Sequence, residues 1–452
     1  MKDLLVQLND LPDEILMYIF KKLYNDEVLY SLMDVNQRFN RIVHDTIFTR
    51  DLCLLEYCPV DESTFPFPDP IIDQFCSKIL PKIGHQIIIL FLSRTSIERV
   101  LHATNYPNLN HLGLCDINNK VAESLFFGIF NTCTNLRCLK INPSSSSLDA
   151  LLIYMTPRTI CSTLLELHIT VKDMNDCFSI LDGRFDQLRI LYVTCYGTSR
   201  RFLQTDHEQK LLPNLRIFSL CCEAKIYSYD ESIVPLLHRM LNLEELDLNI
   251  TVNCYEKFID GDALKKDIIY MSQLYKFTFN IYSIINHRNQ MNFSLNEHFK
   301  NTFKNNFNNQ IITSIDHFQE RRYSQCHIYS YPYKWKFYNN LTNNFRGGLF
   351  TSVTQVSLYD EHPFEYEFFL RMQISFPFMK ELTIKNQKAQ KYKQFIKSNN
   401  NNQILSIIEY FNLTRLDLTK THDDYLELFL FDTNMSLPNN IHLLVDYESL
   451  ER

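Results

Sequence analysis

The chain has 452 residues, a formal net charge of −7 at pH 7, 45% hydrophobic residues and 21% charged residues. At about 100 to 200 residues per domain, this length predicts two or three domains or one long repeat array. The composition is that of a folded protein, and the mild acidity excludes a global field that would attract nucleic acid or anionic lipid. We therefore expect no nucleic-acid partner and no membrane association.

Glycine is scarce, and its placement excludes the common nucleotide-binding loops. The chain has 8 glycines, and Gly347 and Gly348 form the one adjacent pair. Neither GxGxxG nor GxxxxGK[ST] occurs, although both loops need glycine so that the backbone can approach phosphate. We expect no nucleotide cofactor, and the sequence suggests no other cofactor.

Cysteine usage and the chain start predict a location inside the cell. The 13 cysteines form no CxxC motif, which favours reduced thiols in a cytoplasmic or nuclear protein. The start, MKDLLVQLNDLPDE, has acids where a secretory signal needs an apolar run. The apolar run from Ile87 to Leu92 is too short to span a membrane.

The stretch LNDLPDEILMYIFKKL, residues 8–23, predicts a helix very early in the chain. Asp10 is a suitable N-cap, and Pro12 suits the first turn, where the missing N–H costs nothing. Because its apolar residues cover more than half of the surface, the helix needs partners on two sides. They recur at helical spacing and are Ile15, Leu16, Met17, Tyr18, Ile19, Phe20 and Leu23.

Residues 26–45 predict two further short helices. Asp26 is a plausible cap for the first of them, and Asn36 opens the second. Three short helices form a core too small to be stable alone, so we expect this module to dock onto another protein. The apolar residues of these two helices are Leu29, Leu32, Met33, Val35, Phe39, Ile42 and Val43.

In the order and spacing of their residues, the three helices resemble the F-box family. Two positions depart from the family pattern: Asn36 stands where many members have Cys, and Phe48 lies near where many have Trp. The matching residues are Leu8, Leu11, Pro12, Glu14, Ile15, Ile19, Phe20, Leu23, Leu29, Leu32, Val35, Phe39 and Ile42.

This resemblance implies that residues 1–50 insert an apolar face into a Skp1-like adaptor, which is itself held by a cullin. The alternative is a self-contained helical cap on the domain that follows. The resemblance assigns the adaptor contact to Leu8, Leu11, Pro12, Ile15, Leu16, Ile19, Phe20, Leu29, Leu32, Val35 and Phe39.

Behind a linker at residues 51–82, one short phrase, apolar-x-x-apolar-x-apolar, keeps returning. Successive phrases between residues 109 and 274 begin 24 to 31 residues apart, on or just above the period of leucine-rich repeats. The last two apolar positions would alternate along a short strand and point inward. The phrases begin at Ile87, Leu109, Leu136, Leu164, Leu188, Leu215, Leu243, Leu274, Val353, Met379 and Leu413.

The phrase predicts an α/β solenoid, with parallel strands on its concave face and helices and loops on its convex face. The segments Ala122 to Cys133 and Glu231 to Asn242 have the pattern of its helices. An F-box followed by such repeats resembles the F-box/leucine-rich-repeat substrate receptors, whose solenoid captures the protein to be ubiquitinated. One departure is the missing Asn or Cys three positions after the last strand leucine. The alternative is an irregular α/β domain.

We expect two solenoid parts, residues 83–285 and 346–452, separated by an irregular insertion at residues 286–345. An Asn-rich loop or lid is predicted from Asn301 to Ser314, and a basic solvated helix or loop from Lys385 to Gln403. The aromatic band from His327 to Tyr338 predicts a β segment. Core packing is its commoner fate, but Tyr331, Tyr333 and Trp335 are the best candidates for a substrate-facing patch.

We find no set of residues with the pattern of a catalytic or metal site. His422 lies beside two aspartates, but adjacent residues do not converge on one ion, and a solvated turn is the better explanation. Arg321 and Arg322 could clamp an anion or assist GTP hydrolysis, although a surface pair is the simpler reading.

The sequence therefore predicts a non-enzymatic, cytoplasmic or nuclear subunit of a Skp1–cullin–F-box type ubiquitin ligase that binds an unknown protein substrate. The alternative is a leucine-rich-repeat interaction scaffold or regulator with no ligase role.

Overall fold

The computed structural model describes residues 8–58, 63–117, 128–143, 161–197, 211–227, 229–286, 297–306, 310–391, 407–431 and 435–446. The chain divides into two compact units. The first comprises Met1–Val252 and Lys266–Thr278, and the second comprises Asn253–Lys265 and Phe279–Arg452. The fold is mixed α/β, with a helical N-terminal region and extensive parallel sheet.

Short helices form the N-terminal region, as predicted. Pro12 rather than Asp10 precedes the first helix, and Asp10 ends a 3-10 turn at Leu8–Asp10. Asn36 caps the third helix, because its Oδ1 accepts a hydrogen bond from the Phe39 N–H at 2.7 Å. The helices are α1 (Asp13–Phe20), α2 (Asn25–Leu32), α3 (Gln37–Val43) and α4 (Thr46–Thr49).

Residues 51–58 and 63–82 form regular elements rather than the linker predicted at residues 51–82. Strand β1 (Asp51–Cys53) follows α4 directly and pairs in parallel with β4 (Ile89–Ser93). The prediction missed β1 because a three-residue strand without the leucine phrase has no visible period. The remainder contains the antiparallel pair β2 (Leu55–Cys58) and β3 (Ser63–Pro66), α5 (Asp69–Gln74), a π-helical turn at Phe75–Ile79, and α6 (Leu80–Ile83).

The predicted apolar phrases of the first unit form neighbouring parallel strands in one register. Leu90, Leu112, Leu139 and Leu167 lie opposite one another from β4 onward, and all are buried. Leu191, Phe218 and Leu246 continue the same row. The strands are β5 (His111–Ile117), β6 (Cys138–Pro143), β7 (Glu166–Val171), β8 (Ile190–Cys195), β9 (Ile217–Ile226) and β10 (Glu245–Cys254).

The turns that precede several of these strands share the same hydrogen bonds. The first leucine of a phrase donates its N–H to the carbonyl three residues earlier, as Leu109 does to Tyr106 at 3.2 Å. The asparagine just before that leucine donates its Nδ2 to a carbonyl of the preceding repeat: Asn108 bonds to His85 at 2.6 Å, and Asn135 bonds to Pro107 at 2.7 Å. Asn214, Asn242 and Asn412 make the equivalent bond, each at 2.9 Å.

We call these five residues the asparagine ladder. It satisfies backbone carbonyls of the turns, although the Asn or Cys usual three positions after the strand is missing. The ladder precedes the strands, whereas the missing Asn or Cys noted in the sequence would follow them.

Helices follow some of the strands. The predicted helix from Glu231 to Asn242 is present as α9 (Tyr229–Leu237) and ends five residues early. Of the predicted helix from Ala122 to Cys133, residues 128–132 are helical, and residues 122–127 lie outside the described residues. The other helices are α7 (Ile97–Ala103), α8 (Met174–Ile180) and α10 (Gly261–Ile268).

The second unit contains an antiparallel arrangement, so the described part of residues 286–345 does not form the irregular insertion that the sequence predicted. Strand β13 (Tyr323–Ser330) pairs on one side with residues 280–286 of β11 (Lys276–Asn286) and on the other with β12 (Ile311–Phe318). The predicted Asn-rich loop from Asn301 to Ser314 contains the end of α11 (Glu297–Asn306) and the start of β12.

A parallel sheet completes the second unit, and the predicted phrases again supply its strands. Val356, Leu382 and Leu416 lie opposite one another and are buried. The segment at His422 is not a solvated turn, because a helix begins at Asp423. The elements are β14 (Phe337–Leu341), β15 (Gln355–Tyr359), α12 (Tyr366–Ser375), β16 (Glu381–Asn386), β17 (Ile408–Glu409), β18 (Arg415–Thr421), α13 (Asp423–Phe431), β19 (Met435–Ser436) and β20 (His442–Leu444).

Most of the predicted basic segment from Lys385 to Gln403 lies outside the described residues. Within the described part of the chain, no helix is both long and apolar enough to cross a bilayer. The described cysteines are free thiols, and most are buried or half-buried. Burial raises the pKa of Cys133 to about 11.

Candidate functional site

Helix α1 has two apolar faces that meet different surroundings. Leu16 and Phe20 are one turn apart and are buried inside the chain. Ile15 and Tyr18 lie on the opposite face, and their exposed fractions are 46% and 64%. The helix therefore packs on its own module with one face and leaves the other in solvent, where large apolar side chains are unfavourable.

Other apolar side chains of residues 8–50 are also exposed. Val35, which follows α2, is 57% exposed. Of the other predicted contact residues, Leu11, Ile19 and Leu32 are half-buried, and Pro12 is exposed. The further exposed large hydrophobic residues of this region are Leu8, Leu23, Tyr24, Tyr30 and Ile47.

Four residues of the predicted adaptor contact need correction, because they form the core of the helical module. Leu16, Phe20, Leu29 and Phe39 are at most 4% exposed. The Phe20 ring meets Phe39 edge-on at 5.9 Å. When a helix is apolar on two faces, its sequence does not show which face packs inside the chain. The sequence therefore could not distinguish these buried residues from the exposed ones.

Arg38, which the sequence analysis did not single out, holds the segment before α1 in place. Its Nε contacts Asp13 Oδ1 at 2.6 Å, and its Nη1 and Nη2 donate to the carbonyls of Asn9 and Leu11, each at 2.5 Å. Hydrogen bonds from Arg38, and then from Arg41, keep the pKa of the Asp13 carboxyl below its usual value. The exposed residues around Leu11 thus lie on a fixed backbone.

The helical module is also tied to the structure that follows it. Asn25 Nδ2 donates to the Asp51 carbonyl at 2.8 Å, and Thr49 Oγ1 donates to Gln86 Oε1 at 2.6 Å. Lys82 and Asp34 form an ion pair at 2.5 Å. The α1 face with Ile15 therefore has a fixed orientation on the first unit.

Asp26, in the first turn of α2, has an unusual environment. Burial, and to a smaller extent the charge of Glu27, raise the pKa of Asp26 to about 6, while its own backbone N–H opposes the shift. A carboxyl with this pKa changes its charge close to neutral pH.

The predicted substrate-facing patch in the second unit is only partly at the surface. Tyr331 is 46% exposed, but Tyr333 is 4% exposed and donates its hydroxyl hydrogen to the Phe337 carbonyl at 2.7 Å. Trp335 is half-buried, with its ring 5.3 Å from that of Tyr333. Tyr333 packs in an aromatic core, which is the commoner fate expected for this band, and its side chain is therefore not available to a substrate in this structure.

The two other candidate groups do not form chemical sites. The guanidinium of Arg321 lies 4.9 Å over the Tyr359 ring, and the backbone N–H of Arg321 donates to Glu361 Oε1 at 2.9 Å. His422 Nδ1 accepts a hydrogen bond from the Asp424 N–H at 3.2 Å, at the start of α13. Among the residues with described positions, no three His, Cys, Asp or Glu side chains come together to hold a metal ion.

No curated protein matches this chain in sequence. Among solved structures, the chain is similar to one described as "Crystal structure of Rad7 and Elc1 complex in yeast", at 15% identity and a TM-score of 0.32. That similarity covers 97% of this chain and 94% of the other. A TM-score of 0.32 is too low to show a shared fold. The family model for F-box-like domains matches residues 8–55. The helical module with the exposed α1 face is therefore an F-box-like domain.

Proposed function

We propose that the chain is the substrate-recognition subunit of a Skp1–cullin–F-box type ubiquitin ligase. The F-box-like domain would dock a Skp1-like adaptor, and through it a cullin, while the rest of the chain binds the protein to be modified. The chemical step would belong to other subunits, and this chain would raise the effective concentration of target lysines. A cytoplasmic or nuclear location fits this role.

The observation that carries the proposal is the solvent-exposed apolar face of α1. Ile15 and Tyr18 are about half or more exposed on a helix whose opposite face is already buried. Burial of one such side chain contributes about 1.5 to 3 kcal/mol, so a partner that covers several of them gains substantial affinity. The proposed contact set comprises Leu8, Leu11, Pro12, Ile15, Tyr18, Ile19, Leu32 and Val35.

We further propose that the parallel strands are leucine-rich repeats of a solenoid. In support, the apolar phrases align in register, and the asparagine ladder joins successive turns as a repeat requires. In this proposal the strands line a concave face and the helices a convex one. The exposed positions of the strands would then be available to a target protein.

Co-expression with a Skp1-like protein tests the ligase role. We expect a stable complex that Leu11→Ala together with Ile15→Ala abolishes, while the unfolding midpoint of the variant stays near that of the parent. The matched control is Ile374→Ala, an equally small truncation at a site 69% exposed in the second unit. If no complex forms with the parent chain, the proposal fails.

The scaffold alternative, in which the helices only cap the first unit, is favoured by one group of contacts. The bonds of Asn25, Thr49 and Lys82 join the F-box-like helices to the following structure, as those of a cap would. A cap, however, needs no exposed apolar face. In this alternative the double variant has no effect on any complex, and deletion of residues 1–50 lowers solubility alone.

A further inference from the structure

Three sulfur atoms from different elements meet in the interior of the first unit. Met174 begins helix α8, Cys195 ends strand β8, and Cys222 lies in strand β9. All three side chains are buried, with exposed fractions of 3%, 0% and 5%. No local motif joins these residues in the sequence, because each comes from a different element and only the packing of helix and strands brings them together.

The three sulfur atoms form a triangle. Met174 Sδ lies 3.7 Å from Cys222 Sγ and 4.0 Å from Cys195 Sγ. The two cysteines lie directly opposite each other in β8 and β9, and their thiols share a hydrogen bond. The centre of an equilateral triangle with sides of 3.7 to 4.0 Å is about 2.1 to 2.3 Å from each corner, and a bond between a metal ion and a thiolate sulfur is about 2.3 Å long. The triangle therefore has the size of a three-coordinate metal site.

The types of ligand select the class of metal ion. Cysteine and methionine sulfurs favour soft ions such as Cu⁺. Structural zinc sites almost always have four ligands, and across the described ranges no group of three His, Cys, Asp or Glu side chains is placed to hold a metal. The triangle thus offers Zn²⁺ one ligand too few, whereas it offers Cu⁺ three sulfur ligands.

The charged groups near the triangle have both signs. Asp176 is a buried acid of α8 whose charge acts on Cys195. Arg239 is half-buried, and its positive charge acts on Cys177 in the same helix. The carbonyl oxygen of Asp173 lies 3.9 Å from Cys195 Sγ. Because an acid and a base both lie nearby, the selectivity of the site rests on its sulfur atoms.

We propose that Met174, Cys195 and Cys222 bind one Cu⁺ ion. The two thiols would release their protons to solvent, and the resulting thiolates and the thioether would each bond to the metal. The oxidation states of copper and sulfur do not change in this step. The ion would join α8 to β8 and β9, and it would stabilise the first unit because a ligand that binds only the folded state raises the free energy of unfolding. This inference goes beyond the proposed ligase role and does not depend on it.

The test titrates the reduced full chain, without oxygen, with Cu⁺ held as its bicinchoninate complex, whose absorbance reports how much Cu⁺ the protein removes. Substitutions beside a metal site, even outside the ligand shell, lower metal affinity about 10- to 100-fold. Cys222→Ala and Met174→Leu each remove a ligand and should therefore weaken Cu⁺ binding at least about tenfold. Met174→Leu keeps the apolar volume, so it keeps the test valid if Cys222→Ala fails to fold.

The matched control is Cys221→Ala, which removes the neighbouring thiol on the other face of β9. Cys221 Sγ accepts a hydrogen bond from Asn249 Nδ2 at 3.1 Å instead of meeting the triangle, so this variant should keep the Cu⁺ affinity of the parent chain. Equal weakening by Cys221→Ala would mean that copper is taken up by cysteines in general, and it would overturn the proposal.

X-ray absorption of the copper-loaded chain identifies the ligands. We expect three sulfur neighbours at about 2.3 Å in the parent chain and two in Met174→Leu. Copper bound through nitrogen or oxygen, or undiminished Cu⁺ binding in both ligand variants, would also overturn the proposal.

Discussion

At the scale of single residues, one acid in the first unit and one histidine in the second have pKa values that are shifted in opposite directions. Asp26 is a half-buried acid whose pKa is raised to about 6, and His327 is a buried base whose pKa is lowered to about 3. Burial is the leading cause in both, because it favours the neutral form of either group. Neither was visible in the sequence, since no local pattern announces which acid or histidine lacks a counter-charge.

Asp26 makes the first unit less stable as its carboxyl ionises. A raised folded pKa means that its stabilising contribution is complete below the unfolded value of about 3.8 and is lost as the pH rises through about 6. Asp26→Asn should therefore increase the free energy of unfolding at pH 8 by about 1 kcal/mol, a value reduced for solvent screening, and have little effect at pH 4. Urea unfolding at pH 8 and pH 4 measures the change in the free energy of unfolding, with Glu14→Gln as the control. An equal change at the two pH values would contradict a role for Asp26 ionisation.

His327 should make the second unit sensitive to acid. It lies between Asn280, whose Oδ1 is 2.7 Å from its Nε2, and Tyr338, and its ring stacks on Tyr282 at 3.9 Å. A lowered folded pKa gives a contribution that is complete above about 6.5 and declines as the pH falls toward about 3. His327→Gln should flatten the loss of stability between pH 6.5 and 4, whereas the exposed His442→Gln should not. An unchanged slope in His327→Gln would exclude this histidine as the cause.

At the scale of elements, the sequence predicted the strands better than the segments around them. The last two apolar positions of each phrase, such as Leu112 and Leu114, lie on the same buried face of a strand. The spacing of the phrases therefore predicted which residues of neighbouring strands lie opposite one another. Strands without the phrase, such as β1 and β12, were missed. The run of asparagines before β12 suggested a loop because asparagine is a weak helix former. Helix α11 forms there nevertheless, since most helical stability in proteins comes from tertiary packing rather than from composition.

The asparagine ladder should contribute measurably to stability. Asn108 Nδ2 bonds to the His85 carbonyl, while Asn105 in the same loop is exposed. Asn108→Ala should therefore lower the free energy of unfolding by about 1 kcal/mol, the usual net value of one hydrogen bond, and Asn105→Ala should change it little. Denaturant unfolding of both variants measures the difference. Equal effects would mean that the ladder is incidental.

At the scale of the whole molecule, the boundary between compact units did not follow the predicted domains. The sequence placed breaks near residues 50, 83, 286 and 346, whereas the first unit keeps the F-box-like helices together with the following strands up to Val252. A leucine phrase continues across that boundary at Leu274, so periodicity carries no sign of it. The F-box-like domain was predictable because several dipeptides and spacings agree with the family between Leu8 and Ile42, and the family model matches residues 8–55.

The most direct test of the central claim is the affinity of the purified full chain for a Skp1-like adaptor, compared with that of an Ile15→Asp, Val35→Asp variant. Both side chains are about half exposed, so the charges should leave folding intact while opposing burial at an interface. We predict a 1:1 complex for the parent chain and at least about a hundredfold weaker binding for the variant, with unchanged unfolding. Equal affinity of the two proteins, or no complex with either, would contradict the claim that this face docks an adaptor.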